Sequence, residues 1–288
     1  MEYLIEFKKD LYFAGMRSRT VDIYCRHVVY ALKKINKPVM EITANDIYSL
    51  LLKLYEDNAS GSSIKCYFFA LKYFFENTIK SNWELKRIPR LGNFNKNAPR
   101  PLTRAEVNKV ISGATKEIYR IIFALMYSSG LRVSEACLLK KNDINRTDML
   151  INVEDGKGGI YRTTVLSKKV LKMIDDYQAK HPTKKWLFIA RRKIVDSYLL
   201  FPVPNYEKSI NARNVQHEFK YVCQKNNISD HVSTHSLRHS FATHLIEDGL
   251  SIFSIQKLLG HKYIKTTLKY LKYAEPKPEK YFSPYDVI

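Results

Sequence analysis

The stretch between residues 235 and 270 carries side chains that could together attack a phosphodiester. His235 and Arg238 lie three residues apart, His261 follows the sequence Leu-Leu-Gly, and Tyr270 comes nine residues later. An arginine is always charged and binds phosphate oxygens, a histidine gives or takes a proton, and a phenol can act as an oxygen nucleophile. These four residues therefore predict phosphoryl chemistry with an arginine as the anion clamp.

Local sequence signals predict the elements that hold these residues. Thr234 can cap a helix whose apolar residues recur at helical spacing, so that His235 and Arg238 would share one face. A second, shorter helix over 251–259 would end at a glycine and leave His261 in a turn. The spacing thus predicts that the histidine and arginine side chains can grip one anion together.

The order and spacing of His-x-x-Arg, Leu-Gly-His and Thr-Thr-x-x-Tyr resemble those of the tyrosine recombinases, the phage-integrase superfamily that includes the Xer and integron integrases. Two upstream segments agree with this. Residues 129–135 resemble the first arginine box of the family, and residues 156–159 resemble its lysine-bearing hairpin. The resemblance runs from about Leu102 to Tyr273.

The resemblance implies a reaction and a set of catalytic residues. Attack by the tyrosine would leave a 3′-phosphotyrosine and a free 5′-hydroxyl, so that rejoining would need neither a cofactor nor a metal ion. The arginines would neutralise the phosphate, the lysine would protonate the leaving oxygen, and the histidines would act as base and hydrogen-bond donors. The implied catalytic residues are Arg132, Lys157, His235, Arg238, His261 and Tyr270.

The same resemblance implies partners. The family acts on double-stranded DNA recombination sites and assembles into a tetrameric synaptic complex on DNA, with a second recombinase or an accessory protein as a possible further partner. Beyond Pro276 and Pro278 the tail is rich in apolar side chains, among them Tyr281, Phe282 and Ile288. This tail resembles the family segment that docks on a neighbouring protomer, and we expect it to connect subunits.

The charge of the chain agrees with a polyanionic partner. Its 288 residues include 48 Lys and Arg against 28 Asp and Glu, a formal net charge of +20, and 45% of the residues are hydrophobic. Such a charge is typical of proteins that bind nucleic acid. Because no apolar run approaches the roughly 18 residues of a membrane span and no N-terminal signal peptide is present, we expect a cytoplasmic protein. The four cysteines lack the spacing of a zinc site or a disulfide framework.

The pattern of helices and prolines predicts two domains. Residues 1–88 show four helical segments and no strand pattern, which indicates a helical N-terminal DNA-binding domain. A basic, proline-rich linker follows over 89–101, and residues 102–288 form the catalytic domain with its tail. Short strands are expected over 149–153 and 161–166. The predicted fold is mainly α with a small antiparallel β-sheet, a helical core-binding domain preceding a mixed α/β catalytic domain.

Further segments of the catalytic domain have predicted roles. An apolar helix over 116–127 runs into Ser-Ser-Gly-Leu-Arg, where the glycine allows a turn that places Arg132 at the start of the next helix. Lys157 would lie at the glycine-rich tip of the strand hairpin. A short strand is expected over 185–190, and basic residues of a helix over 211–226 would face DNA.

Other interpretations of these residues stay open. Five of the eight histidines lie close together, and His235 and His239 have the spacing of a zinc-binding helix, although Ser236 stands where such a motif has glutamate. Arg132 could form only a structural ion pair with Glu135, three residues on. A type IB topoisomerase-like strand transferase and a non-catalytic DNA-binding regulator are the alternative functions.

Overall fold

The computed structural model describes most of the chain, in which helices predominate and one small sheet is present. The described residues are 2–86, 100–154, 161–190, 208–229 and 231–274. Their Cα positions separate into two compact units, Met1–Lys96 and Asn97–Ile288, each with its own hydrophobic core. No helix in the described part of the chain is both long enough and apolar enough to cross a membrane.

The N-terminal unit consists of helices that pack around a core rich in phenylalanine. They are α1 (Glu2–Phe13), α2 (Ser18–Ile35), a 3-10 turn (Val39–Glu41), α3 (Ala44–Glu56), α4 (Gly61–Tyr73) and a π-helical turn (Phe74–Ile79) that extends α4. Helix α3 begins where the Thr43 hydroxyl accepts a hydrogen bond from the Asp46 N–H, while the Asp46 carboxylate accepts one from the Thr43 N–H. The prediction of a helical N-terminal region is confirmed.

The C-terminal unit contains eight α-helices within its described residues. They are α5 (Arg104–Ser112), α6 (Glu117–Ser129), α7 (Val133–Cys137), α8 (Lys168–Lys180), α9 (Ala212–Lys225), α10 (Thr234–Glu247), α11 (Ile252–Leu259) and α12 (Ile264–Leu268), with 3-10 turns at Lys141–Asp143 and Lys269–Lys272. Helix α6 lies at the centre, because its Ile121, Phe123 and Met126 are fully buried and it packs against α5, α8 and α10.

A three-stranded antiparallel sheet lies within this unit. Its strands are β1 (Ile144–Asn145), β2 (Leu150–Glu154) and β3 (Tyr161–Val165), in the order β1-β2-β3. Alternate residues of β2 and β3 point into the core, so that the buried Val153 lies opposite the buried Arg162 in the strand register. The predicted mainly helical fold with a small antiparallel sheet is therefore confirmed.

The strand predicted over 185–190 is wrong as a regular strand. In this described segment only isolated bridges form, one between Lys140 and Trp186 and one between Ile189 and Ser209. Because the two bridges pair with different parts of the chain, neither extends into a ladder.

The predicted cap of helix α10 is also wrong by one residue. The helix begins after Ser233, whose N–H donates to the Ser236 hydroxyl (3.2 Å). Thr234 is instead buried in the first turn of the helix, where its side chain contributes to packing.

Several predicted features lie outside the described residues. They are residues 89–99 of the linker predicted over 89–101, the hairpin tip with Lys157, and the tail beyond residue 274.

Glycine is required between α6 and α7, and we predict that its replacement is costly. Gly130 has φ +63, and a Cβ atom there would lie 2.5 Å from Phe241 Cδ1 and 2.8 Å from Leu259 Cδ2. Gly15 provides a matched control, since it has φ +71 but no atom within 4 Å of the same Cβ position. Gly15→Ala should therefore lower the free energy of unfolding only by the backbone cost of about 1 kcal/mol. Gly130→Ala should lower it by about 3 kcal/mol, because overpacking is added.

Urea unfolding of the full chain, followed by circular dichroism, would measure both changes. Equal losses in the two variants would contradict the steric requirement at Gly130.

Candidate active site

The first arginine of the site lies where α6 gives way to α7. Helix α6 ends at Gly130 in the left-handed region, and Arg132 is the N-cap residue of α7. The Arg132 N–H donates to Glu135 Oε2 (2.7 Å) and its Nη1 donates to Oε1 (2.6 Å). The ion pair between Arg132 and Glu135 is thus present, and the Arg132 side chain keeps 38% of its surface exposed. It can therefore also reach a ligand.

Glu135 is the common partner of several arginines. Arg162, on β3, donates from Nη1 to Glu135 Oε1 (3.0 Å) and from Nη2 to Oε2 (2.7 Å). Arg238 Nη1 lies 3.7 Å from Oε2. Burial alone would raise the pKa of Glu135, but the hydrogen bonds and charge of Arg162, with the bonds from Arg132, lower it to about 2. The carboxylate is therefore ionised at neutral pH.

The second arginine of the site, Arg238 on α10, is fully buried. Its Nη1 donates to the Gly130 carbonyl (2.7 Å) and its Nη2 donates to the Leu259 carbonyl (2.7 Å). Burial and the positive charge of Arg132 lower the pKa of Arg238 to about 10, so the guanidinium stays charged at pH 7. Its Nε has no hydrogen-bond partner among the described residues. One donor of a buried cation is therefore available to a ligand as far as the described residues show.

His261 contacts the same guanidinium from the turn after α11. The ends of this turn are fixed because the His261 N–H donates to the Gln256 carbonyl (3.1 Å) and Gln256 Nε2 donates to the His261 carbonyl (2.9 Å). Its Nε2 lies 3.2 Å from Arg238 Nη2, and its Nδ1 lies 2.8 Å from Thr267 Oγ1. Because arginine only donates, Nε2 is the acceptor and Nδ1 carries the proton. Burial, followed by the charges of Arg238 and Arg132, lowers the pKa of His261 to about 4, so the ring is neutral at pH 7.

Tyr270 lies next to this histidine in the 3-10 turn after α12. Only 3% of its surface is exposed, and its ring stacks at 6.2 Å on His261 and meets the His239 ring edge-on at 5.2 Å. Burial raises the pKa of Tyr270, and the charge and hydrogen bond of Arg238 act in the opposite direction. The phenol is therefore protonated at neutral pH and lies beside a cation that favours its deprotonated form.

His235 extends this row of rings. It lies 4.7 Å from the His239 ring, which separates it from Tyr270. The ring has an edge exposed to solvent, yet desolvation and the charges of Arg238 and Arg132 lower the pKa of His235. Burial and His235 lower the pKa of His239 to about 4. Both rings are therefore available in the neutral form.

The structure brings together five of the six residues that the sequence singled out, Arg132, His235, Arg238, His261 and Tyr270, whereas Lys157 lies outside the described residues. Sequence reasoning did not foresee the parts played by Glu135 as a shared carboxylate, Arg162 as a second buried arginine, or Thr267 as the partner of His261. A signal for Arg162 was present, since it occupies an inward-facing position of a strand in which Thr164 is also buried. In the described part of the chain no three His, Cys, Asp or Glu side chains lie close enough to share a metal ion.

A groove borders the exposed side of the site. It encloses about 710 Å³ and is lined by Arg132, His235, Phe219, Lys220 and Val232, among other residues. Arg213, His217 and Lys220 of α9, which the sequence predicts to face DNA, are exposed. The groove gives a large ligand access to Arg132 and His235.

The carboxylate of Glu135 should make stability depend on pH. Its folded pKa of about 2 lies below the ordinary value of 4.5, so its contribution is present above about pH 4.5 and is lost as the pH falls towards 2. The full contribution is about 3 kcal/mol. We expect the free energy of unfolding of the unsubstituted protein to fall towards that of Glu135→Gln between about pH 5 and about pH 2, because the unfolded and folded pKa values of Glu135 lie within these limits.

The matched control is Glu117→Gln, because Glu117 forms an exposed pair with Lys180 at 3.1 Å. Its unfolding curve should parallel that of the unsubstituted protein at every pH. If the Glu135→Gln curve also ran parallel, the assigned pKa of Glu135 would be wrong.

Comparison with known proteins places the chain in a family. Residues 100–276 match the model of the phage integrase family, and residues 4–85 match the phage integrase N-terminal SAM-like domain. The chain is 33% identical over 273 residues to a tyrosine recombinase XerA of Pyrococcus horikoshii, covering 94% of this chain and 89% of that protein. It is 34% identical over 275 residues to a tyrosine recombinase XerA of Pyrococcus furiosus, with the same shares covered.

Solved structures support the same fold. A lambda integrase dimer bound to a COC′ core site matches with a TM-score of 0.73 at 19% identity, covering 98% of this chain and 97% of that one. The Tn1549 transposon integrase in complex with circular intermediate DNA matches with a TM-score of 0.68 at 20% identity, covering 96% of each chain. Because two family models and relatives above 30% identity span nearly the whole chain, it belongs to the phage integrase family and is an Xer-like tyrosine recombinase, an enzyme of site-specific recombination.

Proposed function

We propose that this recombinase cleaves and rejoins double-stranded DNA through a 3′-phosphotyrosyl intermediate formed on Tyr270. The observation that supports this is that His261 and Tyr270 lie beside the buried guanidinium of Arg238. Its Nε has no hydrogen-bond partner among the described residues. A phosphate oxygen is the acceptor that suits such a donor. The net charge of +20 suits a DNA partner.

Arg132 and Arg238 neutralise the phosphate in this proposal. Arg132 approaches from the groove with its exposed surface, and Arg238 approaches from the core. As the tyrosine attacks, negative charge builds up on the non-bridging oxygens, and donors already in place stabilise it without reorganisation. Bond formation between the Tyr270 oxygen and phosphorus then accompanies breakage of the bond between phosphorus and the 5′-oxygen.

The proton transfers are assigned to the neutral histidines and to Lys157. His235 acts as base or hydrogen-bond donor at the phosphate, and Lys157 protonates the leaving 5′-oxygen. His261 acts as a donor to a phosphate oxygen once the entering anion has engaged Arg238. The ring then takes its other neutral tautomer, in which Nε2, now an acceptor from Arg238, carries the proton and Nδ1 accepts from the Thr267 hydroxyl. No cofactor is needed, because the phosphotyrosyl bond preserves the energy for rejoining.

The remaining parts of the chain would serve DNA binding and assembly. In this proposal residues 1–88 form a helical DNA-binding domain, 89–101 a linker and 102–288 the catalytic domain, and both basic domains bind the duplex. The lambda and Tn1549 integrases, whose fold this chain shares, are bound to DNA in their structures. Four protomers would assemble on two recombination sites, joined by the tail beyond residue 274, with or without a second recombinase. We place this activity in the cytoplasm.

Removal of one phenolic oxygen should abolish covalent chemistry. With Tyr270→Phe we expect no protein–DNA adduct and DNA affinity within a few-fold of that of the unsubstituted chain, because no charge is lost. The substrates are duplex oligonucleotides selected for binding from a random pool and nicked at successive positions, so that one of them traps the adduct. Denaturing gels report the adduct, and EDTA in every reaction removes metal ions.

Tyr273→Phe is the matched control, because Tyr273 is three residues away, partly buried, and also carries a phenol. It should form the adduct normally. An adduct in Tyr270→Phe but not in Tyr273→Phe would show that the nucleophile is assigned to the wrong tyrosine.

The role of Lys157 can be tested at the leaving oxygen. Lys157→Ala should cleave ordinary DNA about 100-fold more slowly, in the range of general acid catalysis, and should recover when sulfur replaces the 5′-oxygen, since a thiolate leaves without a proton. Arg132→Ala should not recover on the sulfur substrate, because Arg132 acts on the phosphate. Single-turnover rates on the two substrates give the comparison, and equal recovery of both variants would refute the assignment of Lys157 as the acid.

A further inference from the structure

Each of the three guanidinium nitrogens of Arg162 donates a hydrogen bond within the protein. It is 8% exposed, its Nη1 and Nη2 bind the two oxygens of Glu135, and its Nε donates to the Leu258 carbonyl at 3.1 Å. The Cα atom of Gly260 packs closely against the Arg162 side chain, since a Cβ atom at Gly260 would lie 2.5 Å from Arg162 Cδ. Arg162 therefore contacts both the turn that carries His261 and the carboxylate next to Arg132, without reaching the groove where a phosphate would enter.

The two Nη atoms of Arg162 determine how the carboxylate of Glu135 is shared among the arginines. Both carboxylate oxygens receive a hydrogen bond from Arg162, and Arg132 shares Oε1 at 2.6 Å. Arg238 Nη1 remains 3.7 Å from Oε2, which is beyond hydrogen-bonding distance. Because Arg162 binds both oxygens of the Glu135 carboxylate, Arg238 makes no hydrogen bond with Glu135. The charge of Arg238 is therefore available to interact with a ligand.

The net charge of these arginines and Glu135 matches the charge of the transition state. Apart from Lys157, which is assigned to the leaving oxygen, Arg132, Arg162 and Arg238 with the carboxylate of Glu135 carry a net charge of +2, since the surrounding histidines are neutral at pH 7. A phosphodiester carries one negative charge, and the five-coordinate transition state of its attack by an ionised phenol carries two. Without Arg162 the net charge would be +1, which matches the ground state and not the transition state.

We propose, on the basis of the function given above, that Arg162 is a positioning residue for cleavage: it occupies Glu135 so that Arg132 and Arg238 keep the charge that the transition state requires. Its effect is on the rate of bond breakage and not on DNA affinity, because it does not reach the groove. Arg162 also holds the end of α11, so a purely structural role must be distinguished from this one.

The first test compares substitutions at this position. Arg162→Gln removes the charge and keeps an amide donor for Glu135, whereas Arg162→Lys keeps the charge and loses the fork. We expect Arg162→Gln to cleave the nicked duplexes about 100-fold more slowly in single turnover, Arg162→Lys to retain an intermediate rate, and both to bind DNA within a few-fold of the unsubstituted protein. Arg146→Gln is the control, because Arg146 forms an exposed pair with Asp175; it should cleave at the normal rate.

The second test changes the charge of the phosphate instead. In a methylphosphonate duplex a methyl group replaces one non-bridging oxygen at the scissile position, so that the transition state carries one negative charge less. The cleavage rate on methylphosphonate relative to ordinary DNA should be at least about tenfold higher for Arg162→Gln than for the unsubstituted protein. A structural defect would slow both substrates equally, and an unchanged ratio would overturn the proposal.

The double variant Glu135→Gln/Arg162→Gln covers the case in which Arg162→Gln does not fold. It replaces the ion pair by two neutral amides and restores a net charge of +2, so it should cleave ordinary DNA faster than Glu135→Ala, which leaves Arg162 unpaired and the charge at +3. The opposite order would overturn the proposal. If the unsubstituted protein formed no Tyr270 adduct, the proposed function would fail and this role with it. If the unsubstituted protein formed the adduct and Arg162→Gln cleaved DNA at the normal rate, only the role of Arg162 would be refuted.

Discussion

The burial of the Arg238 guanidinium is the constraint on which the C-terminal unit depends. A charge withdrawn from water costs several kcal/mol unless the protein replaces the lost hydration. Here the replacement comes from the carbonyls of Gly130 and Leu259, each at 2.7 Å, and from Glu135 nearby. Those carbonyls lie at the ends of α6 and α11, where the helix dipole is negative. The cation therefore joins two helices that the sequence places far apart.

This arrangement holds the donors of the site in place through contacts within the protein. Both helices end at a glycine in the left-handed region, which turns the chain away and leaves the last carbonyls free to accept from Arg238. His261 and Tyr270 then pack around the same guanidinium. Catalytic donors held in this way need little reorganisation during reaction, and the Arg238 Nε, which has no hydrogen-bond partner in the described part of the chain, lowers the stability of the fold.

Much of this could be predicted from the sequence, because the chemistry lies in short motifs at helix boundaries. The spacing of His235 with Arg238 placed these two side chains on one helical face, and the resemblance to the tyrosine recombinases placed His261 with them. The partnership of Glu135 with Arg162 was not predictable, since the two are 27 residues apart and meet only when β3 packs against α7. The strand expected over 185–190 failed for a related reason: a strand needs a continuous partner, and propensity alone does not supply one.

The contact between Gly260 and Arg162 makes the two positions dependent on each other during sequence divergence. A side chain at position 260 would meet Arg162 Cδ at 2.5 Å in addition to the strain of φ +65, so it could be admitted only after the residue at 162 had become smaller. Replacement of Arg162 first would leave Glu135 without its bidentate partner. Either order passes through a disfavoured intermediate, and relatives that use this geometry should therefore change the pair together or retain both residues.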